Sequence, residues 1–584
     1  MPWRIAPAFT EHEPRSTAMN AFSRPTLLVA LIAAFACTNV LAEKKTVCTI
    51  TVNSDNEKEA MRARLPHDKF QFVELVEHGR PDWLESACQK KVQCDVLVIS
   101  GHFAGTNFFS EEIATQEFLP VEEMERVSCS DSCPGLFSKL KEVYLFGCNT
   151  LNGETFESNT AELARNLMRA GSTKTEADRL SREMSGRYSE TNRDRMRRIF
   201  ANVPVIYGFS AKAPLGPSAA GSLSRYLQSG GAAEVGSGRS SARLLGQFAS
   251  TSLMASSGVG STGPLAAYRQ EVCQFYDDRK PEEAKVDFLH KIFARNMTEV
   301  RMFLQHIEKF SSSMTDAERQ SPAVAAGLLS IAHDSAARDR YLAFARGIDR
   351  PEIKARMVKL AGGLGWLDAG GLREELVGVT KDVLAQKTLS TNDVDFVCAL
   401  NEKGQIDTPR DQYRLSAAQL ADAGHSAVLA CLGSSDDHQR QVSALSSNDV
   451  RDVQIAQVYF RHRPITDVAE LRVATAGISR MPESEAKVLA LETLAHHYLT
   501  DRESIERLAS AYPHADSVGV QRAIAGILLR ADLKSIDTPE LLRTINEHRL
   551  RSSGGRDIVD ALIRRLRTAP ATAMATPVMA TGTN

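Results

Sequence analysis

The stretch Lys141-Glu-Val-Tyr-Leu-Phe-Gly-Cys-Asn-Thr150 constrains this chain more than any other. Val143 to Phe146 form an unbroken run of apolar, β-branched and aromatic residues, the pattern of a strand buried on both faces of a parallel sheet. Gly147-Cys148-Asn149-Thr150 follow as a turn, which puts one thiol at the carboxyl end of that strand. In open α/β sheets this end is where ligands and reacting groups collect. A second run, Cys94-Asp-Val-Leu-Val-Ile-Ser-Gly-His-Phe103, repeats the design and closes on Gly101 and His102. If the two strands are neighbours, an imidazole and a thiol face one crevice, as a cysteine nucleophile requires.

The segments around these two runs alternate in type. Strands are predicted at Thr46–Asn53, Phe70–Val76 and Val203–Phe209, and helices at Glu57–Leu65, Asp82–Lys90, Ala161–Ala170 and Ala219–Gln228. Such alternation predicts an α/β domain with a parallel sheet and right-handed crossovers over residues 43–230. Residues 172–200 read as a helical surface insertion, with Arg193, Arg195, Arg197 and Arg198 on a solvated face. Residues 231–282 open on Gly/Ser/Ala-rich sequence and read as a linker.

From 283 to 567 the pattern is helical. Ile353–Val358, Val453–Val458, Ala486–Leu491 and Val520–Ala525 align without gaps, their starts 100, 33 and 34 residues apart. A period in that range predicts stacked helix pairs, similar to HEAT repeats, that offer a surface for a protein partner. Residues 568–584 read as a disordered tail.

The order of the His and Cys motifs resembles that of the caspase-like cysteine peptidases, the group of caspases, gingipains, legumains, separase and the bacterial CHAT proteins. His102 precedes Cys148 by 46 residues, close to the roughly 50 quoted for caspases. The resemblance covers residues 46–230. It implies a base at His102, a nucleophile at Cys148 and a protein or peptide substrate. It also implies that the first two strands lie outside the His strand, with the Cys and Val203 strands on its other side. Phe103 stands where the family usually has Gly, and it keeps the backbone N–H that helps to hold an oxyanion. In relatives with basic specificity an acid ends the first strand, which makes Asp55 a candidate substrate-binding residue; a turn or helix cap is the other reading of Asp55. A catalytically silent domain of the same fold, acting through its helical region, is the alternative function.

Other chemistries find less support. Gly208-Phe-Ser210 lacks the second Gly of a serine-hydrolase elbow. Glu492-Thr-Leu-Ala-His-His497 lacks the H-E-x-x-H order of a zinc helix, and no metal or cofactor is expected. A formal net charge of −2 gives no basic footprint for nucleic acid.

Met19-Asn-Ala-Phe-Ser-Arg24, the apolar run Leu27–Cys37 and Val40-Leu41-Ala42 read as a secretory signal within residues 1–42. The run is too short to span a membrane, so a periplasmic or secreted location is expected. Nine cysteines follow the signal. Setting Cys148 aside leaves eight for disulfides in an oxidising compartment; their spacing makes Cys129 with Cys133, and Cys88 with Cys94, candidate pairs.

Overall fold

A computed structural model describes residues 43–52, 54–75, 83–110, 118–130, 133, 135–154, 164–165, 168, 173–187, 191–550 and 557–568. The predicted signal, most of the Ala161–Ala170 helix and the predicted tail lie outside them. The chain forms two compact units: residues 1–123, 133–151 and 203–258, and residues 124–132, 152–202 and 259–584.

The first unit is α/β. Its elements in chain order are β1 (Lys45–Thr51), α1 (Asn56–Arg64), β2 (Phe70–Glu74), α2 (Trp83–Gln89), β3 (Val96–Ser100), β4 (His102–Phe103), β5 (Asn107–Phe109) and β6 (Phe118–Pro120). After α3 (Val121–Cys129), whose start belongs here, come β7 (Glu142–Phe146), and then β8 (Val205–Phe209) beyond α4 (Lys174–Arg187) and α5 (Asn192–Ile199) of the second unit. The unit closes with α6 (Gly216–Gln228), α7 (Ala242–Gln247) and β9 (Leu253–Ser256). Six strands pair in the order β2-β1-β3-β7-β8-β9, all parallel except β9. The His and Cys strands are therefore neighbours, with β1 and β2 on one side and β8 on the other.

The unbroken apolar runs do what their composition predicts: every residue of β3, β7 and β8 is buried. Each fully buried Val, Leu, Ile or Phe contributes about 1.5–3 kcal/mol relative to exposure. On one face Val98, Tyr144, Phe146, Tyr207 and Phe209 pack with Ala60 and Met61 of α1 and Leu223 and Leu227 of α6. Tyr144 and Tyr207 stack across adjacent strands, ring centroids 4.9 Å apart. At the opposite, amino end of the sheet, buried Glu142 accepts from the Tyr144 hydroxyl at 2.8 Å and from the Ser237 and Gly238 amides at 3.0 and 3.1 Å.

Part of the stretch read as linker is structured. Residues 231–282 carry α7, β9 and the helix α8 (Pro264–Tyr276). Leu253-Met254-Ala255 has no β-branched residue, so its strand character comes from pairing with β8, not from propensity. Pro264 at the first turn is the start signal of α8.

The second unit is a large helical region. Val450–His462 packs on Glu485–Ala495, that helix on Val518–Leu528, and that one on Ile558–Thr568; Ser435–Ala444, Val468–Arg480 and Arg502–Ala511 form a second row. The last three aligned sequence segments fall on consecutive helices of the first row. Among the described residues no helix is long and apolar enough to cross a membrane.

Four cysteine pairs stand at disulfide distance: Cys48–Cys94, Cys88–Cys133, Cys129–Cys273 and Cys398–Cys431, with Cα separations of 5.6, 4.9, 5.0 and 5.0 Å. The expected Cys129–Cys133 and Cys88–Cys94 pairs are thus corrected. Bridging is decided by where the Cβ atoms point, not by sequence spacing. Cys129 ends α3 and meets α8, whereas Cys94 leads into β3, beside Cys48 on β1.

The arginine cluster needs a second correction. Arg198 is only 5% exposed. Its guanidinium lies 4.5 Å from the Tyr268 ring centroid and 3.9 Å from Glu125. The apolar residues of α5, Met196 and Ile199, turn that end of the helix inward and carry Arg198 with them. His306 lies 3.8 Å from the same Glu125 carboxylate, and burial pushes its imidazole down to about 4.

Candidate functional site

β3 and β7 run in parallel register from Val96 opposite Glu142 to Ser100 opposite Phe146, and the Gly101 amide extends the ladder by donating to Phe146 O at 3.1 Å. His102 and Cys148 each lie two residues past the last paired position. Both therefore stand at the carboxyl end of adjacent central strands, where the sequence puts them. Both are half-buried.

Cys148 sits in a tightly bound turn. Asn149 adopts φ 60°, a left-handed conformation that Asn tolerates. Its amide donates to Ala211 O at 2.8 Å, and the Leu151 amide donates to Phe209 O at 2.9 Å. The buried Thr150 hydroxyl donates to Gly147 O at 3.2 Å and accepts from the Phe209 amide at 3.1 Å. The Ala213 amide points at Cys148 Sγ, 3.3 Å away. Such a bond strengthens when the sulfur carries negative charge. The Cys148 amide itself has no acceptor among the described residues. Of the described cysteines, Cys148 is the free one.

Gly147 is fixed by space. A Cβ there would lie 2.8 Å from Phe103 Cβ and 3.0 Å from Gly101 O. Phe103 and Gly147 thus meet on one side, and strand alternation turns the neighbouring His102 to the other side of β4. The His102 ring packs against Phe109, centroids 5.4 Å apart. Gly147→Ala should cost about 1–3 kcal/mol through overpacking and displace the Cys148 turn. Urea denaturation together with the Cys148 alkylation rate checks this; an unchanged protein would show that the close approach does not matter.

Asp55 is exposed at the N-cap position of α1, where its side chain caps no helical amide. Its backbone oxygen accepts from the Glu59 amide at 2.9 Å. The sequence reading missed its neighbour Glu57, which is only 3% exposed. Burial raises the Glu57 carboxyl to about 7, against the opposing pull of its backbone and of the Ser100 and Ser54 hydroxyls. Its Oε2 has no hydrogen-bond partner among the described residues. An acid at the second helical position normally signals a solvated first turn, so nothing in the pattern marked it for burial.

His497 has a structural place. Its Nε2 accepts from the Ile465 amide at 2.9 Å while Nδ1 lies 3.1 Å from Thr493 O, and burial lowers its pKa. Among the described residues no cluster of three or more His, Cys, Asp or Glu could hold a metal ion.

No family model matches the chain, and neither a curated protein nor a solved structure matches it.

Proposed function

We propose that the first unit is an exported cysteine endopeptidase of caspase-like type, working through Cys148 and His102. One observation carries the reading. Eight of the nine cysteines beyond the predicted signal stand in four pairs, and the ninth, Cys148, ends a strand whose parallel neighbour runs into His102.

His102 takes the thiol proton, and Cys148 Sγ attacks the peptide carbonyl. The oxyanion is received by the Cys148 amide. Collapse of the tetrahedral intermediate leaves a thioester on Cys148, and His102 returns its proton to the departing amine. A water molecule, deprotonated by the same imidazole, then hydrolyses the thioester. The paired cysteines fit a periplasmic or secreted enzyme, and the helical rows supply a surface for a regulatory or substrate protein.

A catalytically silent domain acting through the helical region is the second reading. It is favoured by the Sγ hydrogen bond coming from Ala213, although dyad contacts often tighten only on substrate binding. A peptidyl acyloxymethyl ketone separates the two. A thioether on Cys148 of the native full chain, lost in His102→Ala, is expected of the peptidase. An unmodified Cys148 would support the silent domain.

A further inference from the structure

Beside the candidate dyad lies a second, three-stranded antiparallel sheet in the order β4-β5-β6. His102 stands opposite Phe109, and Phe109 opposite Phe118. Directly opposed residues of antiparallel strands share a face. The other face carries Phe103, Phe108 and Leu119, exposed by 7%, 0% and 1%. The row His102-Phe109-Phe118 is its outward counterpart: the first two are half-buried and Phe118 is 58% exposed. An open aromatic face is costly in water, and this one begins at the imidazole itself.

Resting on the peptidase reading, we propose that this row is the subsite for the leaving side of the substrate, and that it selects a bulky apolar side chain there. The imidazole that returns a proton to the departing amine must lie beside the residue carrying that amine. The row runs from that imidazole across two strand spacings, about 10 Å in all, which an extended peptide covers in about three residues. The first and third residues after the cut bond share a face of an extended chain, so both can meet the row. Among the described residues of the three short strands no carboxylate or ammonium group is present, so an apolar side chain packs on the Phe109 and Phe118 rings where a charged one would lose its hydration against them.

Internally quenched peptides varied only after the cut bond test this on the full chain. Phe, Leu or Tyr at the first or third position is expected to raise kcat/KM over Gly, Asp or Lys. Phe118→Ser should shrink the Phe-over-Gly ratio about tenfold, and Phe118→Leu should restore most of it; exposure of Phe118 lets both variants fold. Cleavage with no leaving-side preference, or a ratio unmoved by Phe118→Ser, would overturn the subsite while the peptidase stands. Absence of cleavage of every peptide, and of a methyl ester lacking leaving-side residues, would remove the peptidase and the subsite together.

Discussion

Cys148→Ala is expected to reduce peptide hydrolysis by about 10⁴-fold or more, the usual cost of deleting a covalent nucleophile. The fold should survive. The side chain is half-buried, and its hydrogen bond is the one from the Ala213 amide at 3.3 Å. Losing that neutral contact costs about 0.5–1.5 kcal/mol. Turnover on a peptide found to be cleaved, read beside the urea midpoint, checks both halves. Retained turnover would move the chemistry elsewhere, and global unfolding would make Cys148 a structural residue.

The second large effect is one of stability and concerns Glu57. Its carboxyl titrates near 7 when folded, against an ordinary value of 4.5. Below pH 4.5 both states are protonated and the group has no effect. Between 4.5 and 7 the unfolded chain loses its proton first, so stability falls as pH rises, and above 7 the penalty is complete. At 1.36 kcal/mol per unit this amounts to about 3 kcal/mol. Glu57→Gln should therefore stabilise the protein by about 3 kcal/mol at pH 8 and change it little at pH 4. Equal urea midpoints for both proteins at pH 8 would show that Glu57 ionises in a hydrated site.

The central sheet was legible because its strands are buried on both faces. Runs such as Val96–Ser100 and Glu142–Phe146 must be apolar almost throughout, and the glycines that follow them mark the carboxyl edge of the sheet. β9 was hidden because an edge strand borrows its order from β8. The β4-β6 sheet was hidden because two- and three-residue strands leave no periodicity to read. The helical rows announced themselves through their period. On α1 and α5, outside those rows, no such pattern says which side chains turn inward; Glu57 and Arg198 are charged residues buried by the apolar neighbours on their own helices. The cysteine pairs escaped for a different reason: spacing along the chain says nothing of Cβ direction.

The most direct test of the central claim is the rate at which iodoacetamide alkylates Cys148 in the native full chain at neutral pH, followed by peptide mass spectrometry. A nucleophilic thiol served by His102 predicts rapid, site-selective labelling of Cys148, slowed at least about tenfold in His102→Ala because the thiolate is the reacting form. Labelling that is absent, or that runs at the same rate in both proteins, would contradict the dyad.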